Sequence, residues 1–118
     1  MSSAQKAEKL QQRIRQLESF LEEVPDDTFT RFALALEYLK AGRNSQAELI
    51  FVDIAEKQPD YSGVYYHLGK LYEEKQQYED AFATYSSGIE VCQRLQELHA
   101  LRELQQAQAA LKEALDEE

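Results

Sequence analysis

Few residues in this 118-residue chain could carry chemistry: two histidines, His67 and His99, and one cysteine, Cys92. A thiol beside an imidazole makes a nucleophile only when a third group orients the imidazole, and no motif in the sequence supplies one. His67 follows Tyr65 and Tyr66 within a stretch of core-type residues, which suits a packed, hydrogen-bonded ring. His99 lies near the start of the last helix and suits solvent or a cap. Cys92 suits a small buried apolar residue. The acidic pairs Glu73-Glu74 and Glu79-Asp80 are sequence neighbours, and on a helix such neighbours point in different directions, so they read as solvated faces. Gly69 stands alone within helical sequence and belongs to packing, not to a phosphate loop. No metal-ligand spacing accompanies Cys92. The residues predict a chain with no catalytic site, no cofactor and no metal.

Composition narrows the partners. Apolar residues make up 43% of the chain and charged residues 30%, enough for one core without a disulfide or metal and for a well-hydrated surface. A chain of this size buries roughly two-thirds of its unfolded surface. With 13 Lys and Arg against 22 Asp and Glu, the chain lacks the cationic face that phosphate binding needs. Nucleic acid and an anionic membrane surface are therefore not expected as partners. The acidic tail Asp116-Glu117-Glu118 reads as a solvated, frayed end. A lone cysteine, the lack of an apolar signal segment in residues 1–24 and the lack of any 18-residue apolar run predict a cytoplasmic protein.

Only four Gly and two Pro occur, leaving little sequence for long loops. The elements that must position any functional residue are helices. Leu10, Ile14, Leu17 and Leu21 share one face of a helix over 4–23. Pro25 forces Val24 out of helical backbone, and Asp26 or Asp27 can cap the next helix. Helices follow over 28–41, ended by Ala41-Gly42, and over 45–57, ended by Gln58-Pro59-Asp60. Two more cover 62–74 and 78–92, with Lys75-Gln76-Gln77 as the turn. Leu101, Leu104, Leu111 and Leu115 line a sixth over 97–115. No Gly or Pro separates the last two, so they either part near Leu95-Gln96-Glu97 or run on as one. The last helix spans barely two heptads, interrupted by Gln108, which favours packing on the rest of the chain over a coiled coil. With no strand pattern, the expected class is all-α.

A period of 34 residues connects these helices. It relates Pro25 to Pro59, Leu34 to Leu68, Tyr38 to Tyr72 and Ala47 to Ala81; Ala35 falls on Gly69 and Phe51 on Tyr85. Large, small and aromatic residues in one register at this period mark stacked helix–turn–helix units. The pattern resembles the tetratricopeptide-repeat family. The second copy is the clearer: Tyr65, Leu68, Gly69, Tyr72, Tyr78, Ala81, Tyr85 and Gly88. The first departs at Arg31, Asn44 and Ile54, and the second has Gln93 where a closing proline would fall. The resemblance implies an α-solenoid with a right-handed superhelix. One domain over 1–118 is expected, with an N-terminal capping helix at 4–24, repeats at 28–61 and 62–94, and a C-terminal capping helix and tail at 95–118.

The resemblance also implies a function: the first helix of each repeat lines a groove that holds a partner peptide or helix, making the chain an adapter or scaffold. Carried over, the groove residues are Phe29, Phe32, Leu36, Leu39 and Lys40 from the first repeat, with Tyr66, Lys70 and Glu73, flanked by Gly63 and Glu74, from the second. Some family members clamp a C-terminal carboxylate there with Lys, Asn and Arg; Phe32 and Leu36 stand where Lys and Asn are wanted, so no such clamp is expected. Helix 28–41 is apolar nearly all round, since Leu34 and Tyr38 face the repeat core while Phe29, Phe32, Leu36 and Leu39 form a second stripe. A terminal helix, a partner or a second copy must cover it, and the last possibility implies a homodimer through this stripe or the last helix.

Overall fold

The computed structural model describes residues 2–117, which form six α-helices and no strand: α1 (Ser3–Glu23), α2 (Thr28–Lys40), α3 (Asn44–Lys57), α4 (Gly63–Glu74), α5 (Tyr78–Leu95) and α6 (Leu98–Asp116). The chain divides into two compact units, one running to Phe51 and the other starting at Val52, so the division falls inside α3.

In the first unit, local sequence sets the helix ends. Ser2 and Gln5 form a reciprocal capping box at the start of α1. Asp27 caps α2 by accepting from the Thr30 N–H at 3.3 Å and from the Thr30 hydroxyl. α1 packs on α2, burying Ile14 in a core with Leu34, Ala35 and Tyr38. Ala47 and Phe51 of α3 are buried in the same unit, and the Phe51 ring meets Phe32 with centroids 5.7 Å apart. The Tyr38 hydroxyl donates to Glu18 Oε2 at 2.6 Å, and Arg13 pairs with Glu37 at 3.3 Å, so polar groups also join α1 to α2. Burial, with the Glu18 carboxylate, pushes the Tyr38 hydroxyl up to about 12.

The second unit packs α4 on α5 and α5 on α6, and α6 also touches α4. Its core includes Ile54 from the end of α3, Val64, Tyr65, Leu68 and Leu71 from α4, Ala81, Tyr85, Val91 and Cys92 from α5, and Leu104, Ala107 and Leu111 from α6. Two glycines set how closely the helices approach. A Cβ at Gly69 would lie 2.2 Å from Tyr85 Cε1, and one at Gly88 would lie 2.6 Å from Tyr65 Cβ and 2.9 Å from Leu104 Cδ1. The turns at the two ends of the α4–α5 pair are tied together. Arg94 donates to both Asp60 oxygens, at 3.0 and 2.6 Å, and Ser62 donates to Glu97. The guanidinium holds the exposed Asp60 carboxyl below its ordinary range.

The repeat shows in the turns as well as in the core. Gly42 and Gln76, one period apart, are both left-handed, with φ of 75° and 61°. Arg43 N–H reaches Tyr38 O at 2.8 Å and Gln77 N–H reaches Tyr72 O at 2.8 Å, the same helix-ending hydrogen bond in each copy. A cation lies over the preceding tyrosine each time, Arg43 over Tyr38 at 4.4 Å and Lys75 over Tyr72 at 5.8 Å. The same device separates α5 from α6, resolving the boundary that the sequence leaves open. Gln96 turns left-handed at φ 60°, and Glu97 N–H reaches Cys92 O at 2.9 Å.

Candidate functional site

Each group of predicted groove residues sits on one helix of one unit. On α2, Phe29 is 73% exposed and Lys40 is exposed, while Phe32, Leu36 and Leu39 are half-buried. Lys40 pairs with Glu37 at 3.2 Å, and the Phe32 ring is turned onto buried Phe51. Phe29 is thus the member of the α2 stripe that solvent reaches most.

On α4 the structure brings Tyr66, Lys70 and Glu73 together. The Lys70 ammonium lies 5.6 Å from the Tyr66 ring centre and 3.8 Å from Glu73 Oε2. Glu73 also accepts from the Tyr85 hydroxyl, which anchors this carboxylate to the core. Burial first, and then Glu73, push the Tyr85 hydroxyl well above the ordinary phenol range.

Sequence reasoning missed the other wall. Tyr66 and Lys70 line a depression of about 250 Å³ whose remaining lining comes from α6: Glu103, Gln106, Ala107 and Ala110. The even spacing of helix starts, Thr28, Gly63 and Leu98, was the available signal. It places α6 where a third repeat would put its first helix, in addition to its work of covering α5. Small residues one turn apart, Ala107 and Ala110, keep that wall low. A second concavity of about 240 Å³ in the same unit is lined by Tyr65, Tyr72, Asp80, Ala83 and Thr84 among others.

The two histidines both come near Glu103, while Cys92 lies buried in the core. Cys92 is fully buried, and burial raises its thiol above the usual range, with Glu97 adding to the effect. That is the opposite of an activated nucleophile. His67 is half-buried, its ring edge-on to Tyr66 at 5.6 Å. Burial lowers its pKa, against a smaller opposing pull from Glu103. His99 is exposed, with Nε2 3.5 Å from Glu103. Among the described residues, no group of three or more His, Cys, Asp or Glu side chains could hold a metal ion. No helix there is long and apolar enough to cross a membrane.

No protein-family model matches the sequence, and no curated protein matches it. Solved structures do. The crystal structure of a tetratricopeptide repeat domain protein from Salinibacter ruber is similar at 46% identity and a TM-score of 0.72, over 74% of this chain and 97% of that one. A solution structure of a tetratricopeptide repeat domain protein from the same organism is similar at 47% identity and a TM-score of 0.69, over 74% of this chain and 88% of that one. A Bordetella parapertussis protein shares the fold at 23% identity and a TM-score of 0.75, over 86% of this chain and 88% of that one. With the 34-residue register, the glycine-mediated helix contacts and this degree of identity to a repeat domain matched over nearly its whole length, the chain belongs to the tetratricopeptide-repeat family.

Proposed function

We propose that the protein is a non-catalytic protein–protein interaction module, and that the α4–α6 depression seats a side chain from a partner peptide or helix. Family membership supports protein interaction in general. The observation that carries the finer reading is the depression itself, formed by the Tyr66 and Lys70 side chains opposite Ala107 and Ala110. At about 250 Å³ it falls below the roughly 300–1,000 Å³ of small-molecule sites and suits one inserted side chain. Tyr66 offers an apolar ring beside a polar rim, the combination enriched at interaction surfaces. In the first unit, Phe29 and Lys40 are the groove residues most open to a partner, with Phe32, Leu36 and Leu39 behind them. The raised Cys92 thiol and the neutral, packed His67 support a non-catalytic role. The test is affinity capture from cells that make the protein, comparing wild type with Ala110→Arg. The variant fills the depression at an exposed helix position. Loss of at least about tenfold in captured partner, with helicity unchanged, is expected. Equal capture by the folded variant would rule out the depression as the site.

A second reading, a homodimer through the α2 stripe or the last helix, has one observation in its favour: Phe29 is 73% exposed. Light scattering over a hundredfold dilution tests it. A dimer that persists, and that Phe29→Lys converts to monomer, would support self-association; a monomer throughout would eliminate it.

A further inference from the structure

We propose that the segment seated in the α4–α6 groove is cationic, presenting the aliphatic stem of a Lys or Arg to the groove floor and its charged head to Glu103. The proposal rests on the groove reading above and adds the chemistry of the partner.

Charge is distributed unevenly along the chain. Residues 1–51 carry seven Lys and Arg against eight Asp and Glu, whereas residues 52–118 carry six against fourteen. The segment that forms the groove therefore holds nearly all of the net charge of -9. A field of that sign raises the encounter rate of basic segments and disfavours acidic ones.

The groove repeats this bias locally. Its one cation, Lys70, is already balanced within α4 by Glu73 at 3.8 Å and by the Tyr66 ring. Its carboxylate, Glu103, is half-exposed, and its contact is His99 Nε2 at 3.5 Å, an ion pair only while that imidazole is protonated. The other histidine near Glu103, His67 on α4, is kept towards its neutral form by burial. The rest of the lining is Tyr66, Ala107 and Ala110, with the polar Gln106. Against apolar side chains such as Tyr66 and Ala107, with a carboxylate such as Glu103 beside them, Lys and Arg bury their stems and keep their heads in water. The depression, at about 250 Å³, holds one such side chain.

The test is selection of a displayed library of short random peptides on the full chain, followed by affinity measurement with synthetic copies of the winners. The expected winners carry net positive charge and a Lys or Arg beside an apolar residue. Their affinity falls about threefold or more in Glu103→Gln, weakens with added salt, and is lost in Ala110→Arg. Neutral or acidic winners that still need an open Ala110 would overturn the cationic partner while leaving the groove in place. Winners that bind Ala110→Arg as well as wild type, or a selection that enriches nothing, would overturn both.

Discussion

The ring of Tyr85 lies against the backbone of Gly69, so close that a single added carbon at Gly69 would sit 2.2 Å from Tyr85 Cε1. This contact joins α4 to α5 and lets the Tyr85 hydroxyl reach Glu73, one turn further along α4. Gly69→Ala improves helix propensity by about 1 kcal/mol, but it must displace a fully buried ring, and overpacking costs about 1–3 kcal/mol. Net destabilisation of about 1 kcal/mol is expected in urea unfolding followed by circular dichroism. Adding Tyr85→Leu should cost less in the Gly69→Ala background than in wild type, because the two side chains compete for one space.

Gln76 and Gln96 end their helices in a backbone conformation that favours glycine, and Gly42 fills the corresponding place in the first repeat. A side chain held left-handed costs about 1–2 kcal/mol, partly offset by the greater freedom that glycine has in the unfolded chain. Gln96→Gly should therefore raise stability by about 0.5–1 kcal/mol, and Gln76→Gly by a similar amount. An unchanged or lower urea midpoint would mean that the turn is held by something other than this geometry.

These turns also show where the sequence is legible. Pro25, Gly42 and Pro59 punctuate the first three helices because their own backbone limits or freedoms enforce the breaks, and the structure has its breaks there. Gln76 and Gln96 carry no such mark, since glutamine has no preference for the left-handed region. The α5–α6 break arises instead from the hydrogen bond of Glu97 to Cys92 O and from the tie of Glu97 to Ser62. The core was legible from the period: Leu34, Ala35, Tyr38, Ala47, Phe51, Leu68, Gly69, Ala81 and Tyr85 are all buried. Part of the candidate site was not. The leucines of α6 advertise a covering helix, whereas its small residues Ala107 and Ala110 acquire meaning only opposite Tyr66 and Lys70. The attachment of Glu73 to Tyr85 is equally invisible in a helical wheel, which cannot show how far a neighbouring helix reaches.

Cys92 should be nearly inert in the folded protein. Its thiol is buried and its pKa raised, so at pH 8 little thiolate forms and little of it is accessible. Ellman's reagent is expected to label the native chain far more slowly than the chain in concentrated urea. Rapid labelling without denaturant would contradict the packing of α5. Cys92→Ser should destabilise more than Cys92→Ala, since the hydroxyl would be buried with a stronger need for a partner.

Acid should weaken the fold through His67. Burial lowers its folded pKa below that of the unfolded chain, near 6.5. Above that value the ring is neutral in both states and stability is unaffected. As pH falls below it, the unfolded state takes up the proton first and stability drops. The Asp60–Arg94 pair, whose carboxyl pKa is lowered in the folded chain, stabilises the fold above the ordinary carboxylate range and loses that contribution only at lower pH than His67 does. The urea midpoint should therefore fall between pH 7.5 and pH 5 by less in His67→Gln than in wild type. Identical pH profiles would show that His67 is not held neutral.

The most direct test of the interaction face is site-specific photo-cross-linking in cells that make the protein, with p-benzoylphenylalanine in place of Ala110 in the α4–α6 groove or of Ala83 in the second concavity. The account predicts discrete protein adducts from position 110, reduced when Glu103→Gln is added, and few from position 83. Adducts from position 83 with none from position 110 would contradict it.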